Sequence, residues 1–188
     1  YKDKSTHLVG RNTRSLKFEP PFLFIQQQET EQNKKNRTHA WAIQKESDAG
    51  YGHSLDLGHA WYHRPTFVNG RLLDVRTPVR GQNPYMVRVY DLESKRMILE
   101  RKAEDAERMG GVQAGPNHVL IYEWKRNNRG TEPYFKLTPY DLTTGQAGST
   151  MEIDYWTSTS QHPNEIRVAG NLVLIHDRYS VKAWPLEM

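Results

Sequence analysis

The chain has 188 residues, with 26 Lys and Arg against 22 Asp and Glu for a net charge of +4, and it contains no cysteine. That length fits one domain with a real core. Without cysteine there is no disulfide, thiolate nucleophile, Cys-ligated metal or c-type haem attachment. The basic excess is too mild and too interspersed with acids for a dedicated nucleic-acid binder. The longest apolar runs, such as Phe22 to Ile25 and Leu172 to Ile175, fall far short of the roughly 20 residues of a membrane-spanning helix. Regularly placed Trp and Tyr in a chain of mean hydropathy -0.84 argue for a folded, polar-surfaced protein.

In chain order, one pattern recurs. A short apolar segment (Leu16 to Phe18) runs into a turn at Glu19-Pro20-Pro21, then into the strand Phe22 to Gln27, a longer loop, and a strand containing Trp41-Ala-Ile-Gln. The second unit reads Thr66 to Val68, Asn69-Gly70, Arg71 to Thr77, loop, Tyr90-Asp-Leu-Glu, turn, Arg96 to Lys102. The third reads Gly111 to Ala114, Gly115-Pro116-Asn117, His118 to Lys125, loop, Tyr140-Asp-Leu-Thr, turn, Ser149 to Asp154. The fourth reads Glu165 to Val168, Gly170-Asn171, Asn171 to Asp177, loop, Trp184-Pro-Leu-Glu. The aromatic anchors Trp41, Tyr90, Tyr140 and Trp184 recur at roughly 44 to 50 residues, the length of one four-stranded blade. Gly, Asn and Pro at each A-to-B turn supply the positive or fixed φ of tight reversals. The expected fold is therefore all-β, a β-propeller with four blades of four-stranded antiparallel sheets. The 3.6-residue period is weak everywhere except Ala103 to Met109, which is too short to hold a helix unsupported and is read as a charged loop.

Residues 1–13 form an N-terminal segment, and blades are expected at about 14–62, 63–106, 107–158 and 159–188. The fourth unit has no room after Trp184 for its own outer strand, and His7 to Gly10 is one candidate to close that edge. Two closures follow: a four-bladed ring, or half of an eight-bladed ring completed by another part of the polypeptide, a second copy or a different chain.

The segments Val89-Tyr-Asp-Leu-Glu-Ser-Lys and Tyr140-Asp-Leu-Thr-Thr-Gly-Gln, with His63-Arg-Pro-Thr-Phe-Val-Asn-Gly-Arg-Leu, resemble bacterial propellers of the PQQ-like repeat family across roughly residues 14 to 188. The resemblance implies propeller blades. Together with a first residue that is Tyr1, it also implies a periplasmic or extracellular protein. It implies no quinone, because Asp and Gly in the YDLxTG stretch serve turn geometry.

Loops on a rigid scaffold carry most function. Those joining one blade to the next bring His59, Trp61, Tyr62 and His63 into one segment and Tyr155, Trp156 and His162 into another. Paired rings beside imidazoles suit stacking and hydrogen bonding to a ring or sugar; the same rings also suit wedging between blades. His59 and His63 have no HExxH pattern around them, so no metal site is expected, and no cofactor. Lys34, Lys35, Arg37, Arg80, Lys125, Arg126, Arg129 and Arg178 make a basic crown diluted by Glu29, Glu31, Glu132 and Asp177, the mark of a solvated face. No nucleophile elbow, phosphate loop or isolated acid pair is present, and Ser47, Asp48 and His53 lie in a hairpin segment whose adjacency does not make a triad. The expected function is a non-catalytic module for protein–protein interaction or assembly, its partner another chain or propeller segment. The alternatives are part of an exported PQQ-like oxidoreductase or hydrolase, and a carbohydrate-binding or cell-surface-binding propeller.

Overall fold

The computed structural model describes residues 13–20, 22–28, 38–47, 50–60, 62–77, 84–103, 106, 108–126, 133–154, 165–176 and 180–186. All regular structure among them is strand: β1 (Thr13–Glu19), β2 (Phe22–Gln28), β3 (Thr38–Ser47), β4 (Gly50–Ala60), β5 (Tyr62–Val68), β6 (Arg71–Thr77), β7 (Tyr85–Asp91), β8 (Arg96–Ala103), β9 (Arg108–Gln113), β10 (His118–Arg126), β11 (Pro133–Asp141), β12 (Met151–Asp154), β13 (Glu165–Ala169), β14 (Leu172–His176) and β15 (Val181–Pro185). They form the antiparallel sheets β1-β2-β3-β4, β5-β6-β7-β8 and β9-β10-β11-β12, and the three-stranded sheet β13-β14-β15. These are propeller blades: sheets whose antiparallel strands pair in sequence order. The possible closing segment His7 to Gly10 lies outside the described residues.

The chain divides into two compact units, Tyr1–Phe67 with Arg76–Asn83, and Val68–Val75 with Pro84–Met188. In the first, Phe24, Gln26, Ala40 and Leu57 are buried. The Gln26 carboxamide, oriented to satisfy both its ends, clamps the His63 backbone by donating to its carbonyl and accepting from its amide, each at 3.2 Å. Lys17 Nζ donates to the Pro65 carbonyl at 2.7 Å, so β1 and β2 both hold β5.

In the second unit, successive sheets share apolar cores. Leu73, Val75, Val87, Val89 and Leu99 pack against Val119, Ile121, Tyr140 and Leu142. Leu120, Trp124, Phe135, Leu137 and Ile153 pack against Ile166, Val173, Ile175 and Leu186. Strand alternation explains this division: odd-numbered residues of β10 face one neighbour and even-numbered ones the other, so both faces are apolar. Gly111 permits close approach, since a Cβ there would meet the Leu73 side chain at 3.1 Å.

The repeated anchor has a physical basis. The amides of Leu92, Leu142 and Leu186, each just beyond the third strand of its sheet, donate to the carbonyls of Gly70, Asn117 and Asn171 at 3.1, 2.7 and 2.7 Å. Each hairpin tip is thereby tied to the end of the next strand. Asp91 Oδ1 accepts from the Ser94 amide and hydroxyl at 2.6 and 2.8 Å, and Asp141 Oδ1 from the Thr143 amide at 2.7 Å. Those bonds, partly offset by burial, hold both carboxyls below the ordinary aspartate range. These aspartates shape turns. Between Ala103 and Met109 the sequence expectation of no helix agrees with the described residues: β8 ends at Ala103, Ala106 is buried, and β9 starts at Arg108, earlier than expected.

Candidate functional site

The face of the first sheet opposite Phe24 and Gln26 carries a cluster assembled by a backbone irregularity. Along β3, His39 and Trp41 share a face because they are two residues apart. On β4, Asp56 and His59 are three apart and would point to opposite faces of a regular strand. Trp41 pairs with Asp56, Ala40 pairs with Gly58, and Leu57 is the extra residue between them, a β-bulge. Gly58 takes φ of 74°, a conformation open to glycine at little cost. The bulge puts Asp56 and His59 together on the face of His39 and Trp41, with Leu57 turned into the core at 1% exposure.

The imidazole of His39 stacks on the Trp41 indole, with centroids 4.1 Å apart and planes 13° from parallel. The His59 ring lies 4.1 Å from His39, tilted by 58°. His39 Nε2 and Asp56 Oδ1 are 2.6 Å apart, and the same oxygen accepts the Gly58 amide at 2.7 Å. Burial works against the ionised carboxylate of Asp56. The hydrogen bonds from His39 and Gly58 and the nearby imidazoles outweigh it, so this carboxyl sits below the ordinary range. The Arg76 guanidinium donates to the His59 carbonyl. The result is a stripe of three rings edged by a carboxylate, on the sheet face that also carries the buried Ile25 and Ile43. It offers stacking area, hydrogen bonds and a charge. Among the described residues, no group of three His, Cys, Asp or Glu is arranged to hold a metal ion.

The structure separates the two histidines that sequence spacing brought together. His59 ends up on β4, in the exposed cluster; His63 lies in β5, fully buried, its ring 6.5 Å from Phe24. The segment from Gly58 to Arg64 is therefore strand on both sides of Trp61, and Tyr62 opens β5. Trp61, Tyr155, Trp156 and His162 lie outside the described residues, as do Asp48 and all of the basic crown except Lys125 and Arg126, which are in β10. Sequence reasoning missed His39, Trp41 and Asp56 as site residues. The one signal was a glycine inside a strand, Gly58, the mark of a bulge.

No family model matches the chain, and no curated protein does. The resemblance to PQQ-like repeats thus has no counterpart among family models. Solved structures do match. The β-propeller domain of the Trilobed protease from Pyrococcus furiosus, described as having an open velcro topology, is similar at a TM-score of 0.56 and 13% identity, over 92% of this chain and 56% of that one. The acylaminoacyl peptidase of Pyrococcus horikoshii is similar at 0.55 and 10% identity, over 97% of this chain and 32% of that one. The chain is a β-propeller domain similar in fold to the propellers of peptidases, and it spans about half the length of the first of these chains and a third of the second. No helix among the described residues is long and apolar enough to cross a membrane.

Proposed function

We propose that this propeller is a non-catalytic module that binds another protein chain or propeller segment and works within a larger assembly. The observation that carries the reading is the last sheet. Among the described residues, β15 has β14 on one edge and no strand on the other, and its Val181 is 61% exposed. A partner chain can extend a sheet by adding a strand beside its last one. The test is the native mass of the particle isolated from its source, set against the 21.9 kDa of this chain. A larger particle containing a second polypeptide supports the reading; a lone chain carrying a bound small cofactor overturns it.

The likeness to propellers of two peptidases supports a second reading, a propeller that serves a hydrolase. One fold hosts many functions, so the likeness does not displace the first. Peptide hydrolysis that co-purifies with the isolated particle and tracks its mass would favour it.

A further inference from the structure

The first hairpin of the second sheet turns on two residues. Between β5 and β6 stand only Asn69 and Gly70, at φ of 44° and 73°, the left-handed pair that a tight type I′ turn demands. Asn enters that region more readily than most residues with a side chain, and Gly enters it freely, so hairpin geometry selects this dipeptide. It is the one Asn-Gly step in the chain. The same dipeptide sets a side-chain amide carbon beside a backbone nitrogen that no following side chain shields.

This tip is open to water and also fastened. Both residues are exposed, and a Cβ at Gly70 would meet nothing within 4 Å. Asn69 Nδ2 donates to the Pro116 carbonyl at 2.8 Å and Arg71 Nη1 to Asn117 Oδ1 at 3.2 Å, which ties the second sheet's hairpin tip to the third's. The Gly70 carbonyl accepts from the Leu92 amide at 3.1 Å. The asparagines at the next two tips differ: Asn117 precedes His118 and has its Oδ1 held by Arg71, and Asn171 precedes Leu172, so in each case a side chain crowds the nitrogen that would attack.

We infer that Asn69 is a site of spontaneous deamidation, with water as co-reactant, and that the change releases the second sheet's tip from the third's. The Gly70 nitrogen gives its proton to solvent base and bonds to Cγ of Asn69; the Cγ–Nδ2 bond breaks, and the nitrogen leaves as ammonia. Water then opens the cyclic imide. Cleavage of the bond from the Gly70 nitrogen to Cγ gives aspartate. Cleavage of its bond to the Asn69 carbonyl carbon gives isoaspartate, in which the main chain runs through the side-chain carbon. Nothing is oxidised or reduced. Both products lose the Nδ2 donor to Pro116, and isoaspartate adds a methylene to the backbone of a turn whose Gly70 carbonyl must still meet Leu92.

Ageing the purified chain in mildly alkaline buffer, with peptide mapping at intervals, tests the site. Asn69 should lose its amide on the order of tenfold faster than Asn117 or Asn171, because only glycine leaves the attacking nitrogen uncovered. Isoaspartate should accompany aspartate there, and the rate should climb with pH, as loss of the Gly70 amide proton requires. In the aged fraction, hydrogen exchange at the Leu92 amide should quicken by about tenfold, because exchange reports local opening. The Leu142 and Leu186 amides, bonded to the tips of the third and fourth sheets, should keep their rates. An Asn69 that outlasts Asn117 or Asn171, aspartate without isoaspartate, or a rate flat with pH overturns the site. Exchange at Leu92 that stays unchanged, or rises equally at all three leucines, overturns the release of the tip.

Discussion

The third sheet and the first are built from the same pattern and end differently. In the third, β10 and β11 pair without interruption from His118 with Asp141 to Arg126 with Pro133, and both faces are packed. In the first, the β3–β4 pairing shifts register at three places, and one face carries rings, a carboxylate and partial exposure. Regular pairing with apolar residues on both faces makes scaffold. A shift in pairing redirects side chains that alternation would have kept apart, and that is how a polar cluster arises on a strand pair.

Two tryptophans give the largest test of this contrast. Trp124 in the third sheet is 1% exposed and packed in the core, so Trp124→Ala should cost about 3–5 kcal/mol in chemical denaturation. Trp41→Ala, at a half-buried position, should cost no more than about 1 kcal/mol. Equal losses at the two positions would break the distinction between scaffold and site.

Next comes the ion pair joining the second sheet to the third. Glu123 Oε1 accepts from Arg101 Nε and Nη2 at 3.0 and 2.9 Å, with Glu123 nearly buried and Arg101 half exposed. Glu123→Ala should cost about 2 kcal/mol, less than breaking a fully buried pair, because Arg101 can turn to water. Thermal unfolding of Glu123→Ala beside Glu123→Gln measures how much of that loss is charge.

A smaller effect bears on the first sheet alone. Gly58→Ala meets no close neighbour, the nearest being Arg76 Nη2 at 3.9 Å, so its cost is the positive φ, about 1 kcal/mol. Its sharper signature is loss of the His39–Asp56 contact, visible in the imidazole NMR signals. Unchanged signals would mean the bulge does not set the cluster.

The smallest effect is acid sensitivity. Asp56, Asp91 and Asp141 all titrate below their ordinary values in the folded state, so each contributes stability that is present above the unfolded-state value near ~3.9 and is lost as pH falls through the folded one. Asp56→Asn should flatten that part of the acid limb, leaving the Asp91 and Asp141 parts in place.

Much of the scaffold was legible because turn chemistry and strand alternation are local. The YDL and WPL stretches mark the third strand's end, and the structure shows why: the leucine's amide closes on the preceding hairpin tip. Trp41 was the exception. Tyr140 pairs with Val119 and Trp184 with Val173, whereas the equivalent partner Leu23 pairs with Ile43, placing Trp41 two residues early. With β3 longer than its counterparts, the aromatic falls mid-strand and no longer marks an end. The cluster was not legible because it depends on pairing between β3 and β4, which no single segment encodes. His59 and His63, close in sequence, fall in strands of different sheets, so one ring lies in the exposed cluster and the other is buried beside Phe24.

The leucine-to-tip hydrogen bonds carry a consequence for how such a chain can change over generations. They fasten one end of the second, third and fourth sheets, while the connections between the second and third strands differ in length, from the long stretch after Gln28 to the short one after His176. Insertions and deletions are cheap at the end where connection length already varies and costly at the fastened one. New recognition surfaces can therefore be acquired at one rim of the blades by lengthening loops, with the core untouched.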